Sequence, residues 1–196
     1  MRINDLLHIH KYSQEFHLLK SSCMQFIKES HGQPLFKNLS VGYNNFDKIK
    51  VRKRKGESGD FTETFNEAFE QQHPGLRQRA IFANGGRSFQ PLFDGVVEPF
   101  YVFPIDGYKF MYSKEVENSG QEYKQVFDTL FEQFGEEKGN EVLTDLLKFT
   151  YTSENLNEGI SSGSEIIVYG IPYFYAIRTN TADNYQNLLS TITDAI

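Results

Sequence analysis

Apolar residues recur along this chain with two periods, and the changes of period mark its elements. In residues 3–30, Ile3, Leu6, Leu7 and Ile9, then Phe16, Leu18, Leu19, Met24, Phe26 and Ile27, keep a roughly helical spacing. Gly32 and Pro34 stop it, so one or two helices are predicted. LFKNLSVGY at 35–43 alternates in part and runs into Asn44-Asn45, which reads as a strand and a turn. Within 47–60 a short strand with Ile49 and Val51 is expected, and the charged remainder reads as exposed loop. Phe61, Phe65, Ala68 and Phe69 share one face of a helix over 61–72, capped by Asp60 or Thr62 and ended by His73-Pro74-Gly75. RQRAIFA at 77–83 predicts a short strand, and Asn84-Gly85-Gly86 a turn. Residues 88–97 fit neither period.

Two aromatic-rich strands are expected in 98–112 around a Pro-Ile-Asp-Gly turn. Tyr123, Val126, Phe127, Leu130, Phe131 and Phe134 predict a helix, and Val142, Leu143, Leu146, Leu147 and Phe149 a second one over 139–151. Ile166–Tyr169 and Tyr173–Ile177 flank a Gly-Ile-Pro turn and read as a hairpin. A closing helix is expected over 183–196. The order is α+β and not the alternation of a parallel βαβ fold. It divides into an N-terminal helical segment, 1–34, and an α+β domain, 35–196.

Composition sharpens this picture. Aromatic residues make up 15% of the 196, with 18 Phe, 11 Tyr and no Trp, which favours a sheet-rich core. The net charge of −6 argues against a general nucleic-acid surface, so a nucleic-acid partner is not expected. The run KIKVRKRK at 48–55 is the local exception. It reads either as a solvated loop or edge strand, whose lysines discourage edge pairing, or as an anion site. The single cysteine, Cys23, allows no intramolecular disulfide and no cysteine cluster, and is read as a buried thiol. His8 and His10 lie two apart, a spacing that shares a face on a strand but not on a helix, and no metal site is expected. With no long apolar segment and no signal peptide, a soluble chain without membrane partners is expected.

One acid stands out. In SGSEIIVYGIPYFYAIR, at 162–178, Glu165 opens an apolar strand behind three small residues. Ser-Gly-Ser lets the backbone approach a ligand, and the strand would hold a carboxylate on rigid footing. The plainer alternative is a strand-start acid that faces water.

Several segments, in order, resemble phage-encoded proteins with an ADP-ribosyltransferase-like fold. They are FKNLSVGY, the pair Arg52 and Arg54, FNEAF, RAIFANG, FYVFPIDGYKFMYS, and LTDLLKFTYTSENLNEGISSGSEIIVYGIPYFYAI. Together they span about residues 35–178. The resemblance implies two small antiparallel sheets with flanking helices, NAD as substrate in a cleft between them, and no metal. It implies a mono-ADP-ribosyltransferase or NAD glycohydrolase acting on a host target, with Glu165 as the catalytic glutamate. Partners would be a host protein or other phage proteins, and the location the host cytoplasm or the virion.

The chain departs from that pattern at three places. Val41 stands where an Arg or His precedes the Gly of the first strand, so Arg52, Arg54 or Arg79 would hold the pyrophosphate. Ala80-Ile81-Phe82-Ala83 replaces a Ser-Thr-Ser-like middle strand. Gly163 stands where arginine-modifying members carry a second Glu, which speaks against arginine as acceptor. Tyr108, Phe110 or Tyr112 would stack on nicotinamide. The alternative is a catalytically inactive scaffold, serving as a virion component or a host-protein antagonist.

Overall fold

The computed structural model describes residues 15–52, 60–70, 73, 76–86, 89–92, 94–115, 119–179, 187 and 189–190. The N-terminal helical pattern resolves into α1, residues 15–22, and α2, Met24–Glu29, broken at Cys23. The break is stabilised from outside the helices. The Asp106 carboxylate accepts the backbone N–H of Gln25 at 2.8 Å, and Asp106 donates its own N–H to the Ser22 carbonyl. An acid at a helix N-terminus satisfies amides that have no partner within the helix. Leu19, Cys23, Phe26 and Ile27 are buried in the same core as the strands that follow.

The strands are β1 (Leu35–Ser40), β2 (Phe46–Lys50), β3 (Ile81–Gly85), β4 (Val97–Pro104), β5 (Lys109–Ser113), β6 (Tyr151–Thr152), β7 (Glu165–Tyr169) and β8 (Tyr173–Arg178). They form one antiparallel sheet in the order β2-β8-β4-β1-β3-β7-β5-β6. The fold is α+β, but the expectation of two separate sheets gives way to one hydrogen-bonded sheet with a narrow waist. β1 meets β4 through five residue pairs and β3 meets β7 through four. At the centre, β1 meets β3 through only two, Leu35 with Gly85 and Phe36 with Asn84. Beyond that joint the ammonium of Lys37 donates to the Phe82 carbonyl at 2.7 Å. A side chain takes the place of a ladder bond where the two halves part.

This topology corrects the hairpin expected over 166–177, and it separates the two strands expected in 98–112. β4 pairs with β1 and β8, whereas β5 pairs with β7 and β6. β7 likewise pairs with β3 and β5, and β8 with β2 and β4. At both turns the chain crosses between halves of the sheet. The first turn is held by α2, because Gln25 Oε1 accepts the Gly107 N–H and the Asp106 contacts add to it. The strand expected over 77–83 also shifts. Leu76–Arg79 is a 3₁₀ turn, and β3 runs through Asn84 and Gly85, which had read as a turn.

Helices α3 (Asp60–Phe69), α4 (Ser119–Phe134) and α5 (Glu136–Thr150) cover one face of the β3-β7-β5 half. Phe65, Phe69, Phe127, Leu143 and Leu147 pack there against Phe82, Met111, Ile167 and Tyr169. The opposite face, with Ile81, Ala83, Ile166 and Val168, packs in the first core beneath α6 (Leu156–Ser162), a helix the sequence pattern did not suggest. Alternate residues of β3 and β7 therefore feed two cores, which is why these strands read as continuous apolar runs. The closing helix expected over 183–196 lies largely outside the described residues, although Leu189 is buried.

Candidate functional site

Glu165 is the first residue of β7 and is half-buried. Its direct partner across the ladder is Asn84 of β3, also half-buried. Asn84 in turn faces Phe36 of β1, and Phe36 faces Tyr101 of β4. Residues directly opposite in an antiparallel ladder project from the same face. One row thus runs Glu165, Asn84, Phe36, Tyr101 and crosses the waist of the sheet. The Phe36 ring stacks on Phe89 at 4.9 Å and lies 5.2 Å from Tyr101. Burial pushes the Tyr101 hydroxyl above its ordinary pKa. The segment carrying Phe89 is pinned over β1, where Asn38 donates to the Gln90 carbonyl at 3.0 Å and accepts the Leu92 N–H at 3.2 Å.

The residues before Glu165 close a helix. Gly163 ends α6 in the left-handed region, at φ 87, where a Cβ would be strained. Ser162 Oγ lies 2.7 Å from Ser164 Oγ and donates to the Gly159 carbonyl at 2.8 Å. The small residues read as room for a ligand are, in the folded chain, the C-cap of α6. They fix the direction from which β7 begins.

The other residues singled out from sequence lie elsewhere. Tyr108 is buried, its hydroxyl donating to Glu29 Oε2 at 2.5 Å, and burial together with that acid holds its pKa far above the ordinary value. Phe110 pairs with Val168 and therefore projects from the face opposite Glu165. Tyr112 is fully buried, with its hydroxyl on the Asn155 carbonyl. Arg52 is exposed just past β2, an edge strand five positions from β7 in the sheet. Arg79 is exposed at the end of β3 away from Asn84. Arg54 lies outside the described residues, as do His8 and His10. Val41 and Gly42 follow β1 at its far end, whose last residue, Ser40, lies about 13 Å along the strand from Phe36. The cationic group beside them is Arg178, which donates to the Val41 and Tyr43 carbonyls and pairs with Glu98.

Sequence reasoning missed Asn84 and the Phe36–Phe89–Tyr101 cluster. Continuing the alternation of Phe82 by two residues would have put Asn84 on a strand face. Among the described residues, no group of three metal-ligating side chains converges, and no helix is long and apolar enough to cross a membrane. Compared with protein-family models, with curated proteins and with solved structures, the chain matches none.

Proposed function

We propose that the chain is an NAD-using mono-ADP-ribosyltransferase or NAD glycohydrolase, with Glu165 as its catalytic carboxylate. One observation carries the reading. The three segments to which the resemblance assigns roles, the first strand, the middle strand and the strand opened by glutamate, are neighbours as β1, β3 and β7. They bring Glu165, Asn84 and Phe36 into one row at the waist of the sheet.

In this reading the bond between nicotinamide and ribose breaks with its electron pair leaving on the nicotinamide nitrogen. The Glu165 carboxylate faces the positive charge that develops on the ribose, a contribution of several kcal/mol (roughly 3–4) for a fixed group in a site shielded from water. An acceptor, or water in the glycohydrolase, then gives a lone pair to that carbon and releases a proton to solvent. Asn84 holds the carboxylate or a ribose hydroxyl. The Phe36 cluster offers an aromatic face in place of Tyr108 and Phe110. Lys37, next to Phe36 on the first strand, projects from the opposite face and holds the Phe82 carbonyl, so it is not the cation for the pyrophosphate.

A second reading keeps the scaffold without catalysis, as a virion component or a host-protein antagonist. What favours it is the sequence, where Val41 and Ala80-Ile81-Phe82-Ala83 stand in place of the residues the resemblance expects.

Incubation of the purified protein with labelled NAD and a bacterial lysate, beside Glu165→Gln, separates the two. Release of nicotinamide or label on a protein band, lost in the variant by about a hundredfold or more, is the expected result. No turnover and no NAD binding would sink the catalytic reading.

A further inference from the structure

Gly85, which has no functional group, stands between the end of β3 and α6. β3 ends at Gly85, one residue past Asn84, and the last turn of α6 lies directly on it. A Cβ at Gly85 would stand 2.0 Å from the carbonyl oxygen of Ile160 and 2.8 Å from its carbonyl carbon. Those atoms are backbone, so no rotamer change makes room. On its other side α6 meets Tyr112 just as closely, since a Cβ on Gly159 would lie 2.7 Å from that fully buried ring. A third tie comes from Gln33, whose Nε2 donates to Asn157 Oδ1 at 2.6 Å and to Ser161 Oγ at 2.7 Å. From Ile160 the chain reaches Glu165 in five residues, through a Gly163 N–H that bonds the same Ile160 carbonyl.

We infer that α6 is the element that sets the Glu165 carboxylate, and that Gly85 and Gln33 are positioning residues for it, acting through the seat of α6. The inference rests on the enzymatic reading for what Glu165 does, not for where it stands. Gly85→Ala must lift α6 from the end of β3, and the shift passes along Ser162–Ser164 into the first residue of β7. Gln33→Ala adds no volume and removes the bonds that tie Asn157 and Ser161 of the same helix.

The test follows the carboxylate itself. In protein labelled with carboxyl-¹³C glutamate, the Glu165 resonance is assigned by its loss in Glu165→Gln, and its pH titration is recorded in wild type, Gly85→Ala, Gln33→Ala and a remote core variant, Ile49→Val. The expected result is a displaced resonance and titration midpoint in Gly85→Ala, a smaller change in Gln33→Ala, and none in Ile49→Val. Nicotinamide release should fall about a hundredfold in kcat for Gly85→Ala, the scale of a one-ångström misplacement, with little change in KM. A folded Gly85→Ala with the wild-type Glu165 titration overturns the inference. If Gly85→Ala does not melt cooperatively, a wild-type titration in Gln33→Ala overturns it. Displaced resonances in the two variants, with a wild type that releases no nicotinamide, would support the positioning and sink the enzymatic reading alone.

Discussion

One guanidinium, that of Arg178, joins β8 to β4 and to the turn between β1 and β2. Arg178 ends β8 opposite Phe100 of β4, and its guanidinium lies 5.2 Å from that ring. One nitrogen pairs with Glu98 Oε2 at 2.5 Å, and the other donates to the Tyr43 carbonyl at 2.5 Å and the Val41 carbonyl at 3.1 Å. The two charged side chains are 15% and 22% exposed. Arg178→Met keeps the stem on Phe100 but leaves the Glu98 carboxylate largely buried without its cation. Removing one partner of a buried pair costs about 3–5 kcal/mol, and the residual exposure here puts the expected loss near ~3. In a chain of this length that lowers Tm by about 6–12 °C. Glu98→Met alone leaves the guanidinium its two carbonyls and should cost about 1–2 kcal/mol. The double variant strands no charge and loses only the carbonyl bonds, about 2 kcal/mol. It should therefore be more stable than Arg178→Met, with a coupling of roughly 2–3 kcal/mol. Urea unfolding of the four proteins, followed by circular dichroism, measures the cycle. A double variant that loses the sum of the singles would refute the argument, as would an Arg178→Met loss below ~1 kcal/mol.

Two further predictions concern the β3-β7-β5 half. Tyr169 is buried, with its hydroxyl 2.9 Å from His73 Nδ1, and burial pushes its pKa from 10 up to about 12. A raised pKa stabilises the fold below the unfolded-state value and withdraws that stability as pH rises towards the folded-state one. Between pH 10 and about 12 the wild type should lose stability more steeply than Tyr169→Phe, and equal slopes in urea midpoints against pH would contradict this. Phe149→Gln removes a ring that is 88% exposed, so its unfolding free energy should match wild type within about 0.5 kcal/mol. A larger loss, measured by the same denaturation, would show that Phe149 packs on the fold.

Much of the fold was legible because period is local. The helical spacing of Phe65 and Phe69, of Leu143 and Leu147, and the strand runs at Phe100–Phe103 and Ile166–Tyr169 each reported a face that the folded chain buries. What failed was pairing, which is not local. Pro104-Ile105-Asp106-Gly107 carries hairpin residues, and Gly107 does take a positive φ of 87°. Yet the turn residues fix only that the chain bends, not which strands it joins. The bend is claimed instead by Gln25 and Ser22, some eighty positions earlier.

The candidate site shows the same division. Glu165 was legible because an acid opening an apolar strand breaks a pattern within five residues. Asn84 was not, because Asn-Gly-Gly is turn chemistry at short range. Here Gly85 is required by α6 lying against it, a contact made by a residue 75 positions later. Lys37 was hidden more deeply still. A lysine in a half-exposed strand is unremarkable until β1 and β3 part beside it and the Phe82 carbonyl turns to its ammonium. Arg52 was conspicuous in sequence because it belongs to a basic cluster, and it is exposed beside the edge strand β2. Lys37 works among apolar neighbours, and only the pairing of distant strands shows that its ammonium closes the joint between β1 and β3.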